Sequence, residues 1–322
     1  MHRSIAQQRA TRLFWSAMGS GLLVVSIIVL AWHVKYHEAL PRTMFEACLV
    51  MMQQVWGTPP QLAARIPFDG VLMLLLMASG AWAAWCTLAA WRRTRRLLLR
   101  STPYGLGSCP ALDTAVVTLP FIRQRLRTLD TPHPVACTVG LWQPQIILSS
   151  GLIAALSASE LRAVIGHEWG HVSRHDPLRI LVLRFWSNAL WFLPIVRALS
   201  QDSAHCMEEA ADDAAVGLTD QPLDLAAALV KTAKAQAQPR WSPLPALGGE
   251  HAVSERVERL LEGAPIRRRQ RHYRAWTAST VVAIFLLGLL LLPRHPGAVA
   301  ASVPPFPTQS PMMACPMPLA QG

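Results

Sequence analysis

The chain has 322 residues, of which 52% are hydrophobic and 15% charged, and its mean hydropathy is positive at +0.28. This composition is typical of a membrane protein with one sizeable domain or two small ones. The net charge of +11 is not accompanied by any motif that reads nucleic acid, so direct nucleic-acid binding is excluded as the explanation for it.

Three apolar stretches approach the roughly 20 residues that an α-helix needs to cross a bilayer. Residues 13–32 and 71–91 are the first two predicted transmembrane helices, and residues 276–292 form a shorter, uncharged third. Tryptophans near the ends of these stretches suit the headgroup layer. The first stretch is too long for a signal-peptide core and lacks a clear cleavage site, so we expect a retained anchor.

Arginine-rich flanks predict the orientation, because such flanks stay in the cytoplasm. We therefore expect residues 1–100 to be a two-helix anchor with an extracytoplasmic loop, and 101–265 to be a cytoplasmic domain. Residues 266–292 hold a basic flank and the last span, and 293–322 form an extracytoplasmic tail rich in Pro and Met. The predicted location is a bacterial inner membrane, whose anionic lipids contact the basic flanks. The flanking arginines are Arg3, Arg9, Arg12, Arg92, Arg93, Arg95, Arg96, Arg267, Arg268, Arg269, Arg271 and Arg274.

The predicted cytoplasmic domain begins with short strand-like runs at 135–139 and 145–148, separated by a G-L-W-Q-P turn. Residues 145–148 are either an edge strand onto which an extended substrate peptide adds, or an ordinary interior strand. Ser157 and Glu160 then form a capping box that opens a helix. The motif that follows therefore lies on a helix.

That motif is I-G-H-E-W-G-H, with His167 and His171 four residues apart and Glu168 directly after the first histidine. Residues four apart share one helix face, so both imidazoles can bind one zinc ion while Glu168 reaches a water bound to it. A polar helix face is the alternative. Histidines beside core positions such as Ile165 and Val172 match an apolar interior poorly unless they bind a metal, which favours a zinc hydrolase.

A third ligand must follow, and a metzincin would carry a glycine and a histidine where this chain has Arg174 and Pro177. That class is excluded. Downstream, C-M-E-E-A-A-D-D places Glu208 and Asp212 on one helix face. We expect Glu208 to bind the metal and Asp212 to hold the second ring nitrogen of a ligand histidine.

Two alternatives to this assignment stay open. His175 lies one turn after the second histidine, although Asp176 and the following proline are expected to end the helix there. In a swapped register, Glu209 and Asp213 would take the two carboxylate roles; in the preferred register they point away and are expected to be solvated.

The apolar segment 180–199 resembles a further span, but a single crossing is incompatible with a zinc site. It would put His167 and His171 on one side of the membrane and Glu208 on the other. The segment must stay on one side or dip and return, and Arg184 near its middle favours a helix buried beside the other spans or lying against the bilayer.

Several motifs together carry a family resemblance: H-E-W-G-H-V-S-R-H-D, then W-F-L-P, then M-E-E-A-A-D, with V-G-L-W-Q-P-Q-I-I-L-S-S-G-L upstream. Over residues 134–216 the chain resembles the membrane metallopeptidases of the BlaR/MecR type, the β-lactam sensor-transducers. The resemblance implies a cytoplasmic zinc protease that responds to an outside signal and leads to loss of a transcriptional repressor. It also calls for a penicillin-binding sensor domain where this sequence has the Pro-rich residues 293–322.

The expected fold is mainly α, with about three transmembrane helices, a membrane-associated apolar helix and an α+β zinc metalloprotease domain of the gluzincin type. The expected function is a membrane zinc endopeptidase whose partners are lipids and a protein substrate, such as a repressor. A membrane quality-control protease and a non-enzymatic scaffold that keeps zinc for its fold are the alternatives. Glu168 favours an enzyme, because structural zinc sites are closed by four protein ligands and have no use for a base.

The two segments predicted outside the membrane are rich in sulfur ligands, which favour Cu(I). A copper sensor is therefore one hypothesis for them. Pliable apolar filler in an amphipathic helix and a disordered tail are the other. The residues concerned are Met44, Cys48, Met51, Met52, Met312, Met313, Cys315 and Met317.

Overall fold

The computed structural model describes residues 4–36, 68–105, 109–117, 119–236, 250–262 and 272–291. Within these residues the chain is mostly helical and has one small sheet. The helices are α1 Ile5–Tyr36, α2 Phe68–Arg100, α3 Pro110–Val116, α4 Ser150–Ala155, α5 Ala158–Arg174, α6 Asp176–Ala189, α7 Pro194–Thr219, α8 Pro222–Gln236, α9 Glu250–Glu262 and α10 His272–Leu291. The strands are β1 Thr102–Pro103, β2 Leu126–Leu129, β3 Ala136–Val139 and β4 Gln145–Ser149.

Two helices in the described part of the chain are long and apolar enough to cross a membrane: Ile5–Leu30 in α1 and Leu74–Arg100 in α2. They contain the first two predicted stretches almost entirely. Many of their apolar side chains point outward, which suits contact with lipid rather than water. The apolar part of α10, Tyr273–Gly288, is shorter.

The apolar segment 180–199, which was predicted not to cross the membrane once, is broken into two helices. Helix α6 ends at Ala189 and α7 begins at Pro194. Both ends are capped by hydroxyls of other helices. Ser79 of α2 donates to the carbonyl oxygen of Ala189 at 2.7 Å, and the amide of Ile195 donates to Ser279 of α10 at 2.9 Å. These bonds satisfy backbone groups that a helix end leaves without intrahelical partners.

The sheet has the order β1-β2-β4-β3, with β2 and β4 parallel and the other neighbours antiparallel. The hypothesis that residues 145–148 form an edge strand is wrong, because β4 lies between β2 and β3. Ile146, Ile147 and Leu148 are fully buried. A strand covered on both faces is a continuous apolar run, which is what these residues are. The edge strand beside helix α5 is β3.

Helix α5 begins with the predicted capping box. The Glu160 amide donates to Ser157 Oγ at 3.3 Å, and the Ser157 amide donates to Glu160 Oε2 at 2.8 Å. The helix ends at Arg174. His175 adopts a left-handed conformation with φ of 54°, which redirects the chain so that α6 starts at the next residue.

Helices α5 and α7 approach each other closely because small residues face one another. A Cβ atom on Gly170 would lie 3.0 Å from Ala211 Cα, and one on Gly166 would lie 3.2 Å from Ala215 Cα. A side chain at either position would therefore press on the backbone of α7, most tightly at Gly170. This crossing brings the HExxH motif next to the E-x-x-x-D motif.

The residues of the copper hypothesis and the segments that carry them lie outside the described residues. The hypothesis therefore stays a prediction.

Candidate metal centre

Three side chains with metal-binding atoms meet where α5 crosses α7. His167 Nε2 lies 3.2 Å from His171 Nε2. Glu208 Oε2 lies 3.6 Å from His167 Nε2, and Glu208 Oε1 lies 3.6 Å from His171 Nε2. All three ligand atoms lie within 4.8 Å of one another. The structure thus brings together the three residues that the sequence assigned as metal ligands.

The donor set fits a tetrahedral zinc site. With bonds of about 2.0–2.1 Å, two ligand atoms of such a site lie about 3.3 Å apart, close to the separations here. The side chains of both histidines are 10% exposed, whereas that of Glu208 is 38% exposed. The site is therefore walled by protein on the histidine side and open beside Glu208. Three protein ligands and one open position are the arrangement of catalytic zinc sites.

Each histidine is oriented by an aspartate at its other ring nitrogen. Asp212 Oδ1 lies 3.0 Å from His167 Nδ1, and Asp176 Oδ2 lies 2.8 Å from His171 Nδ1. Both aspartates are fully buried. A carboxylate that accepts the Nδ1 proton leaves the Nε2 lone pair for a metal.

Asp212 occupies the position that helix periodicity predicts for it, but sequence reasoning treated Asp176 only as a helix end. It lies five residues after His171, a spacing that does not share a face in one continuous helix. The left-handed His175 turns the chain and brings Asp176 back to the imidazole. Only knowledge of that turn would have revealed the pair.

Arg174 is a further residue that sequence reasoning used only to exclude a class. Its guanidinium donates to Asp176 Oδ2 from Nε at 3.1 Å and from Nη2 at 2.8 Å. It also donates to the carbonyl oxygens of Ala210 at 3.2 Å and Met207 at 3.1 Å, both on α7. Arg174 thus neutralises a buried carboxylate and joins the end of α5 to α7.

The glutamate of the motif contacts the edge strand. Thr138 of β3 donates to Glu168 Oε2 at 2.6 Å and to the Glu168 carbonyl oxygen at 3.1 Å. Burial, together with the charge of Glu168, raises the pKa of the neighbouring Cys137 to about 12. Cys137 lies outside the group of residues that can hold the metal.

A second arginine, Arg256 of α9, reaches the site from 44 residues beyond Asp212. Its Nε donates to Asp212 Oδ2 at 2.9 Å and its Nη2 to Asp212 Oδ1 at 2.6 Å. Its Nη1 lies 3.0 Å from Glu208 Oε2. No local pattern in the sequence indicated this residue, because the contact depends on how α9 docks.

These contacts change the acidity of the site residues. Partial desolvation of its carboxylate would raise the pKa of Glu208, but Arg256 and the two histidines hold it well below its usual value. Burial would likewise raise the pKa of Asp212, but Arg256 and His167 hold it below its usual value. Burial would lower the pKa of His167, yet Asp212 and Glu208 raise it to about 9. The carboxylates therefore favour positive charge between them.

The balance of charged groups also favours a divalent cation. The triad and its immediate neighbours include four carboxylates and two guanidinium groups, so the negative charges exceed the positive charges by two. A divalent metal would balance this excess. The groups are Glu168, Asp176, Glu208, Asp212, Arg174 and Arg256.

The alternative ligands lie elsewhere. The structure brings Glu208, not Glu209, to the histidines. The expectation that Glu209 and Asp213 are both solvated is wrong, since Glu209 is buried 3.4 Å from His205 and Asp213 pairs with an arginine of α9. Helix α9 covers this side of α7, which the sequence did not reveal. His175 is exposed and lies outside the group that can hold a metal.

A protein-family model described as BlaR1 peptidase M56 matches residues 70–260, which is more than half of the chain. The matched region runs from α2 through the sheet and α5 to α9, and it includes the three residues of the triad.

Proposed function

The chain belongs to the BlaR1 peptidase M56 family, and from that premise we propose that it is a membrane-embedded zinc endopeptidase. The observation that carries this proposal is the triad of His167, His171 and Glu208 with Glu168 beside it. Three protein ligands with one open side support a catalytic rather than a structural ion, which would be closed by four. The scaffold alternative leaves Glu168 without a role.

The chain's own residues divide the work of peptide hydrolysis. A zinc ion held by the triad would supply a water with a pKa of about 7 and would polarise the peptide carbonyl. Glu168 accepts the proton of the attacking water and returns it to the leaving amine nitrogen. Thr138 donates to Glu168 Oε2 and so fixes the orientation of this carboxylate. Asp212 and Asp176 keep the two imidazoles in the tautomer that binds a metal.

Strand β3 is the proposed binding surface for the substrate. Within the described residues it pairs on one side only, with β4, and Thr138 near its end contacts Glu168. An extended peptide that adds to the other side by main-chain hydrogen bonds would pass next to the base. This mode reads backbone rather than side chains, which suits a protease acting on an unfolded segment.

We further propose that the site lies at the cytoplasmic surface of a bacterial inner membrane. The α6–α7 turn is capped by Ser79 and Ser279 of two apolar helices, and Trp191 at its tip is 71% exposed. A helical hairpin that dips into the bilayer and returns fits these contacts. The arginine flanks and α10 as a third span support the same orientation.

The biological role proposed here is signal transduction by proteolysis, in which cleavage leads to loss of a transcriptional repressor. This step rests on the family and on the motif resemblance. The partner would be a protein substrate rather than nucleic acid.

The test is the substitution Glu168→Gln in the full chain purified in detergent. Gln keeps the oxygen that accepts from Thr138 but removes the base, so zinc should stay bound while cleavage of labelled casein falls at least about 100-fold. Glu258→Gln, the same change at an exposed position of α9, is the matched control. Native cleavage by the Glu168 variant would refute the mechanism.

A further inference from the structure

Helix α9 contributes a largely buried cation to the metal site, although Arg256 lies 44 residues after Asp212. Arg256 is 12% exposed and contacts both Asp212 and Glu208. We propose that Arg256 is a positioning residue of the metal site: it holds Asp212 against His167 and keeps Glu208 turned toward the histidines. This inference rests on the proposed zinc function and adds α9 as a required part of the site.

The geometry of the guanidinium supports this role. Nε and Nη2 form a fork on the two oxygens of Asp212, at 2.9 and 2.6 Å, and Nη1 remains for Glu208 Oε2 at 3.0 Å. One planar group thus sets the plane of one carboxylate and the position of another. Lysine cannot make this pattern, because its ammonium is a point charge without a fork.

The burial of Asp212 makes its contact with Arg256 necessary. Asp212 is fully buried, and a buried carboxylate needs a charged partner in addition to a neutral imidazole. Without the Arg256 fork, the Asp212 carboxylate would be free to rotate away from His167 Nδ1. That rotation removes the acceptor that keeps the proton of His167 on Nδ1, so His167 would bind a metal more weakly.

The site role of Arg256 can be separated from the docking of α9, because the helix has other anchors. One turn later, Arg259 pairs with Asp213 and donates to the carbonyl oxygen of Glu209 at 3.2 Å. Leu260 packs on the apolar cluster of Ala163, Ala215 and Leu225. Removing Arg259 therefore also loosens α9, but it leaves the triad and its aspartates intact.

The experiment measures zinc affinity in the full-length protein in detergent by competition with a chromophoric chelator. Arg256→Gln is expected to weaken zinc binding about 10- to 100-fold, the usual effect of losing a partner of a metal ligand. Arg256→Lys should restore part of that loss, because it keeps the charge without the fork. Arg259→Gln is the matched control and should stay within about twofold of the unsubstituted protein, since it touches no metal ligand.

A double variant tests the route. If Arg256 acts chiefly through Asp212, adding Arg256→Gln to Asp212→Asn should weaken zinc binding much less than Arg256→Gln does alone. Unfolding midpoints of all variants show whether a change in affinity follows a change in folding. Weaker zinc binding in Arg256→Gln but not in Arg259→Gln, measured at a temperature where both variants are folded, would support positioning.

Native zinc affinity in Arg256→Gln, or an equal loss in Arg259→Gln, would overturn the inference and make α9 a structural cover only. If Arg256→Gln does not fold, native zinc affinity in Arg256→Lys would overturn it as well. Failure of the unsubstituted protein to bind zinc is a separate result that refutes the proposed function itself.

Discussion

The two ligand histidines have the same kind of support, but it comes from different distances. On the His171 side, the aspartate and its arginine are Asp176 and Arg174, within five residues of the histidine. On the His167 side, the aspartate is on α7 and its arginine is on α9, 89 residues from the histidine. One half of the site is therefore made by a single chain turn, and the other needs three helices to meet.

The two halves therefore differ in how they can respond to a change elsewhere in the protein. The Arg174 side chain also bonds two α7 carbonyls and is 5% exposed, so it is part of the folded core. The second arginine sits on a helix that directly precedes α10 among the described elements. A shift of α9 would alter the His167 half while the His171 half stays in place.

The largest effect on stability should come from breaking the His171 half of the site, which a single chain turn forms. Arg174→Gln leaves the buried Asp176 without its cation and takes donors from the carbonyls of Met207 and Ala210. We expect a loss of about 3–5 kcal/mol in the free energy of unfolding, seen as a lower thermal midpoint in detergent. Arg197→Gln, at an exposed position, is the control and should change little. Equal midpoints for both would mean that the His171 half is not part of the core.

A smaller effect should follow from separating α5 and α7, which must meet to form the His167 half of the site. Gly170→Ala places a Cβ 3.0 Å from Ala211 Cα, so α5 and α7 must move apart. We expect about 1–3 kcal/mol of destabilisation and weaker zinc binding, since Glu208 and Asp212 move with α7. Gly217→Ala has open space around it and should stabilise α7 by about 0.5–1 kcal/mol. Effects of the same sign in the two variants would contradict the close packing.

The smallest effect should come from the far end of α5, where Glu160 closes the capping box and contacts Lys231. Burial would raise the pKa of Glu160, but Lys231 and the Ser157 amide lower it below its usual value. Its contribution is therefore present above the unfolded pKa of about 4.3 and is lost as the pH falls through the lower folded value.

Glu160→Gln should thus lose about 1 kcal/mol at pH 7, with zinc affinity unchanged because the site lies at the other end of the helix. Unfolding curves of both proteins from pH 7 to pH 3 check this expectation. A difference that grows as the pH falls would have the wrong sign and would refute it.

Local patterns in the sequence predicted much of this arrangement. The four-residue spacings of His167 with His171 and of Glu208 with Asp212 are consequences of helix geometry, so one helix is enough to predict each pair. The capping box and the strands on either side of the G-L-W-Q-P turn were predicted because they too are recognised from residues close together in the chain.

What the sequence did not predict depends on contacts between distant segments. The position of β4 in the sheet follows from pairing with β2, and the burial of Glu209 follows from the docking of α9. Arg256 and Asp176 reach the site only through that docking and through one left-handed residue. Periodicity contains no information on either of these.

The most direct test of the central claim is X-ray absorption at the zinc edge of the purified full-length protein, together with its metal content. We expect one zinc per chain, with imidazole nitrogens and carboxylate or water oxygens at about 2.0–2.2 Å and no sulfur. The signal of two imidazoles should fall to one in His171→Ala at reduced occupancy. A sulfur ligand at about 2.3 Å, or a protein that retains no zinc, would contradict the site described here.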